Sequence, residues 1–291
     1  MKKILILLVI IIALVFFFWP GYPPNQFLQK LISKTPLEQI NPSKNALKTH
    51  KTPDLVILEI DPSVDPEDAA KMREGIRVMD YYLNKWFGHS VNKKVLMTVD
   101  ASTENSIIKE QNGEMVAVLH TNEPIWQQFR QFIVQYRMDM RSRFSAHEYV
   151  HYWQRDAGCG RIYLPSEVTL KWLMEGEAEW LSYKAMNEAG QLPFYLGLEQ
   201  MLAMQYQQNQ GNLKPLRAYE KDVQTLVSTY SYFALALELL MKNRDIKTID
   251  GFCANIGKGQ EALVAFENAF CIPLEKFYAE FEQYERSLRN P

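Results

Sequence analysis

The spacing of apolar and polar positions predicts an ordered series of strands and helices from about residue 54 onward. Short runs of branched apolar residues predict strands at 54–60, 94–99 and 113–120. Apolar positions at helical spacing predict a helix at 67–87. Later helices are predicted at 194–208, 225–243, 248–256 and 274–286. We therefore expect an α+β fold in which a small mixed sheet lies in an N-lobe (54–156) and an all-helical C-lobe (157–291) follows.

The first residues carry a different pattern. Lys2 and Lys3 precede an uncharged run from Ile4 to Trp19 that is apolar on every face of a helix. A positive start followed by one apolar run is typical of an export signal. No small-residue cleavage motif follows, so we expect 1–21 to be an uncleaved signal anchor, a transmembrane segment.

This anchor would hold the rest of the chain outside the cytoplasm, in a bacterial periplasm or on the cell surface. Cleavage would instead give a secreted protein. Residues 22–53 are rich in proline and polar side chains, which predicts a tether. Residues 54–291 are long enough to form one domain with a single core.

The strongest chemical signal is the pentad His-Glu-Tyr-Val-His at 147–151. Positions four apart lie on one face of a helix, so His147 and His151 can reach the same metal ion. Glu148 then points beside the ion, where a carboxylate can accept a proton from water. The pentad predicts a catalytic zinc site, which needs a third protein ligand and one open position.

Two patterns compete to supply the third ligand. The short one requires glycine at position 154 and histidine or aspartate at position 157, but the chain has Gln154 and Ala157. The longer pattern places a glutamate on a second helix, and Glu175 lies in such a segment, Trp-Leu-Met-Glu-Gly-Glu-Ala-Glu-Trp at 172–180. We therefore assign Glu175 as the third metal ligand.

Further residues of this segment receive different roles. Glu179 shares a helical face with Glu175, and we expect it to accept a hydrogen bond from a ligand histidine, most directly His147. Gly176 removes a side chain where two helices must approach closely. Glu177 projects to another face and is interpreted as a solvated carboxylate.

The two motifs, His-Glu-Tyr-Val-His-Tyr-Trp-Gln and Trp-Leu-Met-Glu-Gly-Glu-Ala-Glu-Trp, resemble those of gluzincin metallopeptidases, specifically the bacterial peptidase-MA-like group. The resemblance covers about residues 54–288. It implies a zincin-like fold with an active-site helix and one Zn²⁺ per chain. It also implies His147, His151 and Glu175 as zinc ligands, with Glu179 behind them.

The aminopeptidase-like relatives in this resemblance use a tyrosine to stabilise the oxyanion of the intermediate. The segment that opens the predicted helix after residue 228 offers Tyr230, with Tyr232 as second choice. Zincins also bind peptide as an added strand along a sheet edge. The run at 113–120 is the expected edge, and His120 at its end is interpreted as a surface or edge histidine.

Net charge and the cysteines bear on the binding partners and the cellular compartment of the protein. A net charge of −2 gives no reason to expect nucleic acid, and the basic run at 141–143 is interpreted as a solvated face. Export would place the three cysteines in an oxidising compartment. Cys253 and Cys271 flank one predicted hairpin and are a candidate disulfide, which leaves Cys159 unpaired.

The sequence favours a membrane-tethered zinc peptidase that acts on a peptide or protein, with Glu148 as general base. One alternative is a catalytically silent module that keeps the fold and binds or scaffolds a partner at the outer face of the membrane. Retention of Glu148 argues against it, because a purely structural zinc needs no base. Metal-dependent hydrolysis of a non-peptide substrate would use the same residues.

Overall fold

The computed structural model describes residues 47, 49–111, 114–160, 170–195, 197–198, 201–202, 213–220 and 229–289. The predicted anchor at 1–21 and most of the predicted tether lie outside these residues. Within the described ranges, no helix combines the length and the apolar character needed to span a membrane. All contacts below lie within the compact unit that ends at Gln283.

The described part is a mixed α+β structure with mostly helical content. Its strands are β1 (Val56–Ile60), β2 (Val95–Asp100), β3 (Ile107–Gln111) and β4 (Glu114–His120). Its helices are α1 (Pro66–Phe87), α2 (Pro124–Tyr136), α3 (Arg141–Ala157), α4 (Lys171–Glu188), α5 (Tyr230–Met241), α6 (Lys247–Gly257), α7 (Ala262–Phe270) and α8 (Leu274–Arg289). The predicted helix at 194–208 and the start of that at 225–243 fall largely outside the described residues.

The four strands form one sheet in the order β1-β2-β4-β3. β2 is parallel to both β1 and β4, whereas β3 runs antiparallel to β4. The prediction that 113–120 forms the sheet edge is therefore wrong, because β4 is paired on both sides. The edge strand beside β4 is β3, which the sequence pattern missed since it has only two apolar residues, Ile107 and Ile108.

Helix α3 links the sheet to the helical part. It packs against α1 on one side and against α4 on the other, and α4 in turn packs against α5. The hydroxyl of Tyr152, on α3, accepts a hydrogen bond from the Ala117 amide of β4 at 2.8 Å and donates to the Leu96 carbonyl of β2. The helix that carries the pentad is thus fixed directly to the sheet backbone.

The basic run at the start of α3 is buried, so its interpretation as a solvated face is wrong. Arg141 is 5% exposed and pairs with Asp139 and with Asp68, the latter at 2.7 Å. Arg143 is 3% exposed and pairs with Glu179. Each guanidinium is buried because a carboxylate on another part of the chain neutralises it.

The candidate Cys253–Cys271 disulfide does not form. Cys159 and Cys253 form the bond, and Cys271 is free and exposed. Helix α3 ends at Gly158 with φ 115°, and a Cβ there would lie 2.5 Å from the Cys253 carbonyl oxygen. This close approach brings the end of α3 onto α6 and Cys159 next to Cys253.

Candidate metal centre

The structure brings His147, His151 and Glu175 together. Their helices, α3 and α4, pack side by side, and all three side chains are buried. The two Nε2 atoms are 3.2 Å apart, and each lies 3.4 Å from Oε2 of Glu175. Among the described residues, this is the group of histidine, cysteine and carboxylate side chains placed to hold a metal ion.

The hydrogen bonds behind the two histidines fix which ring nitrogen carries the proton. Nδ1 of His147 lies 3.0 Å from a carboxylate oxygen of Glu179, and Nδ1 of His151 lies 2.8 Å from the amide oxygen of Gln154. Both partners can only accept, so each Nδ1 is the donor. Each Nε2 of a neutral ring therefore directs its lone pair toward Oε2 of Glu175.

Three lone pairs that converge in a buried space require a positive charge between them. Burial by itself lowers the pKa of His147, but hydrogen bonds with Glu175 and Glu179 raise it to about 10. Burial opposes ionisation of Glu175, yet the charge of His151 and hydrogen bonds from both histidines hold the pKa of that carboxyl far below its ordinary value. Either a proton or a metal cation can supply this charge.

Glu179 lies behind His147 and joins three helices. Besides His147 it accepts a hydrogen bond from Ser231, the second residue of α5, at 3.2 Å. It also pairs with Arg143, whose guanidinium lies over the ring of Tyr183 at 4.8 Å. Burial raises the pKa of Glu179, but the charge of Arg143 outweighs burial and lowers it. Glu179 is therefore an ionised acceptor that holds His147 in place.

Glu148 is next to His147 on α3, and its side chain is only partly buried. Desolvation raises the pKa of its carboxyl, and the charges of Glu175 and Glu179 raise it further against the opposing effect of the two histidines. A carboxylate with a raised pKa is a stronger proton acceptor than an ordinary glutamate.

Tyr230, the first residue of α5, is the tyrosine that reaches the site. Its ring stacks on His147 with centroids 5.3 Å apart and planes at 4°, and its hydroxyl is hydrogen-bonded to Glu175. Burial and the nearby carboxylates raise the pKa of this hydroxyl well above its usual value, so it stays protonated. Tyr232, the second choice, points into the core instead, where its ring contacts Tyr219 and Phe281.

The approach of α5 to the site depends on Gly176. A Cβ at this position would lie 2.9 Å from the Phe233 carbonyl oxygen, which is closer than real Cβ contacts allow. The predicted close approach of two helices at Gly176 is therefore present, between α4 and α5. It brings Tyr230 to Glu175 and Ser231 to Glu179.

Two predicted surface residues are buried. Glu177 is fully buried and accepts a hydrogen bond from Nε2 of Gln154 at 2.9 Å, and burial raises its pKa to about 8. His120 is 5% exposed and bonds through Nδ1 to Asp100 at 2.5 Å. Both interpretations as surface residues were wrong, because α3 and β2 supply polar partners from distant parts of the chain.

Comparisons with known proteins find little in common with this chain. No protein-family model matches it, and no curated protein matches it. Among solved structures, it resembles the crystal structure of an M1 zinc metallopeptidase from Deinococcus radiodurans, with 20% identity and a TM-score of 0.41. The match covers 80% of this chain and 47% of that protein, so the chain spans about half its length.

Three polar side chains at the site were not assigned a role from the sequence. Gln154 follows His151 by three positions and so shares its helical face, a spacing that was available as a signal. Arg143 precedes His147 by four positions, with the same relation. Ser231 reaches the site only because α5 packs on α4, which no local spacing indicates.

Proposed function

We propose that this protein is a zinc-dependent peptidase. The observation that carries the proposal is the convergence of two histidine Nε2 atoms and one carboxylate oxygen in a buried space, with Glu148 beside them. Oε2 of Glu175 faces the Nε2 atoms of both histidines at 3.4 Å, as is appropriate for an atom that shares a cation with them.

The distances suit zinc. A tetrahedral ion with bonds of ~2.0–2.1 Å holds its ligand atoms about 3.3 Å apart, and the three atoms here are separated by 3.2 and 3.4 Å. Three protein ligands leave one tetrahedral position for water or substrate, as catalytic zinc sites do. A zinc ion bound there would polarise the scissile carbonyl and lower the pKa of water.

The protein's own residues then have distinct roles. Glu148 accepts a proton from the attacking water and returns it to the leaving amine. The protonated hydroxyl of Tyr230 donates a hydrogen bond toward the negative charge that develops on the carbonyl oxygen. Glu179 keeps His147 in the orientation and tautomer that a metal ligand needs.

We propose that the substrate is a peptide in extended conformation. Within the described residues β3 has a neighbouring strand on one side only, so its other side offers backbone groups to an added strand. Ile107, at its start, is 55% exposed and is available to contact a substrate side chain. This replaces β4, the strand first expected at the edge.

We also propose that the domain works outside the cytoplasm and is held by the predicted anchor at 1–21. A disulfide between Cys159 and Cys253 supports an oxidising compartment, because such bonds are rare in the cytosol. The predicted tether would let the domain reach substrates away from the membrane.

Zinc content tests the proposal directly. We expect one zinc per chain in the full-length wild type by elemental analysis, and much less in Glu175→Ala. Glu280→Ala, which removes an exposed glutamate of α8, is the matched control and should retain the metal. Zinc-loaded wild type should also cleave unstructured peptides, whereas a wild type that binds no zinc would refute the site. Full zinc without hydrolysis would favour the silent binding module.

A further inference from the structure

Gln154 has an amide whose orientation is determined by three neighbours. Its Nε2 donates to the Met174 carbonyl and to Glu177, each at 2.9 Å, and its Oε1 faces Nδ1 of His151. The reversed amide would place its oxygen against the Met174 carbonyl, which can only accept. The amide is fully buried, so water offers no alternative partner.

Glu177 completes this arrangement from α4. It is fully buried, and its other oxygen, Oε1, has no hydrogen-bond partner within the described residues. A buried carboxyl group with one unsatisfied oxygen destabilises a fold unless the group serves another purpose. The contact that it does make is the one that orients the Gln154 amide.

We propose that Gln154 and Glu177 are positioning residues that hold His151 with its proton on Nδ1 and its Nε2 lone pair on the metal side. Glu177 and the Met174 carbonyl orient the amide, and the amide oxygen orients the ring. The two ligand histidines thus have different supports, since His147 depends on the carboxylate of Glu179. This inference rests on the proposed zinc site.

The different supports have a chemical consequence. A carboxylate partner increases the electron density of a ligand imidazole more than a neutral amide does. His147 has the anionic support of Glu179, and His151 has the neutral support of the Gln154 amide. The hydrogen bonds between α3 and α4 that run through Gln154 favour one orientation and one tautomer of the His151 ring, and their loss should weaken that preference.

Zinc affinity of full-length variants, measured by competition with a chromophoric chelator, tests the proposal. Gln154→Met keeps the volume and removes the acceptor for His151, so we expect about 10–100-fold weaker zinc binding. Glu177→Met should weaken binding less, because the Met174 carbonyl still holds the amide. Glu177→Gln can still offer an oxygen to the Gln154 amide and is the conservative control, with affinity close to that of wild type.

A purely structural role would not alter the histidine tautomer, so the second readout is ¹⁵N NMR of the imidazole rings. In zinc-loaded wild type, His151 should carry a slowly exchanging proton on Nδ1, and Gln154→Met should lose that protection while His147 keeps its own. Cobalt substitution should likewise change the visible absorption spectrum of Gln154→Met but not that of Glu177→Gln.

The outcomes distinguish failure of this inference from failure of the proposed zinc peptidase. Wild type that binds zinc with His151 protonated on Nε2 would overturn this inference without any variant, even if Gln154→Met fails to fold. Equal zinc affinity and equal Nδ1 exchange in wild type and Gln154→Met would also overturn it and would leave the zinc peptidase standing. Absence of zinc in wild type would overturn both.

Discussion

We expect His147 to determine how zinc binding at the proposed site depends on pH. Without a metal its pKa is raised to about 10, so at neutral pH a proton occupies the ring nitrogen that must bind the ion. Zinc must displace this proton, and we expect about one proton to be released per ion. Titration calorimetry in buffers of different ionisation enthalpy measures the release.

The raised pKa of His147 determines whether zinc affinity increases or decreases with pH. Below the raised pKa, apparent zinc affinity should increase with pH, by up to about tenfold per pH unit. The control Glu280→Ala should behave as wild type does. Affinity that stays constant between about pH 6 and about pH 9 would contradict a protonated His147.

The role proposed for Glu148 can be separated from metal binding by experiment. Glu148→Gln keeps the size of the side chain and removes the base, so we expect zinc content to stay at the wild-type level. Peptide hydrolysis should fall by about 10²–10⁴-fold, the usual contribution of a general base. Parallel measurement of zinc and peptide cleavage checks both statements, and full activity in this variant would disprove the mechanism.

At the scale of elements, the start of α3 is held by Asp139. It pairs with Lys71 at 2.8 Å and with Arg141. Burial raises the pKa of Asp139, but hydrogen bonds from Arg141 and Lys71 outweigh it and lower the pKa from 3.8 to about 2. An acid with a lowered pKa stabilises the folded state above its unfolded pKa, and this contribution disappears as pH falls toward 2.

We therefore expect Asp139→Asn to cost about 2 kcal/mol of unfolding free energy at neutral pH. The difference from wild type should shrink between about pH 4 and pH 2, where wild-type Asp139 also becomes protonated. Urea unfolding at several pH values measures it. Glu280→Ala, with an exposed carboxylate, should show no such change, and a difference independent of pH would count against the ion pairs.

Elements with strong local patterns were predictable, and those that depend on partners were not. Helix α1 was predicted at 67–87 and spans Pro66–Phe87, because its buried positions repeat at helical spacing. β3 was missed because an edge strand needs little apolar surface. The C-terminal limit of α3 was predictable from Gly158, whose positive φ ends the helix.

The same distinction applies to the site. The grouping of His147, His151 and Glu175 was predictable because two ligands share one helical face and the third follows a motif. The burial of Glu177 was not, since it depends on where Gln154 of another helix lies. The sequence around a glutamate on α4 is the same whether water or the amide of another residue surrounds its carboxylate. Packing between helices therefore determines its environment.

At the scale of the whole molecule, the Cys159–Cys253 disulfide joins residues 94 positions apart. It closes a loop that includes α4 and α5, and with them Glu175 and Tyr230. A disulfide that closes a loop of this length removes much conformational entropy from the unfolded chain. The bond should therefore stabilise the part of the molecule that carries the site.

We expect Cys253→Ala to lose about 2–5 kcal/mol of stability and roughly 5–15 °C in Tm. Cys271→Ser should leave Tm unchanged, because Cys271 is exposed and unpaired within the described residues. Calorimetry with and without reductant provides the comparison. A native, oxidised wild type that exposes more than one reactive thiol would show that the bond does not form.

The buried pair of Arg143 and Glu179 has a consequence for the valence of the ion. Three carboxylates, Glu148, Glu175 and Glu179, lie around the two histidines, and the guanidinium of Arg143 interacts with two of them, Glu179 and Glu148. This leaves a deficit of two positive charges, so a divalent cation makes the cluster electroneutral. A monovalent ion would leave the cluster anionic, and a trivalent ion would leave it cationic. We therefore expect Arg143, through its pair with Glu179, to favour a divalent ion at the proposed site.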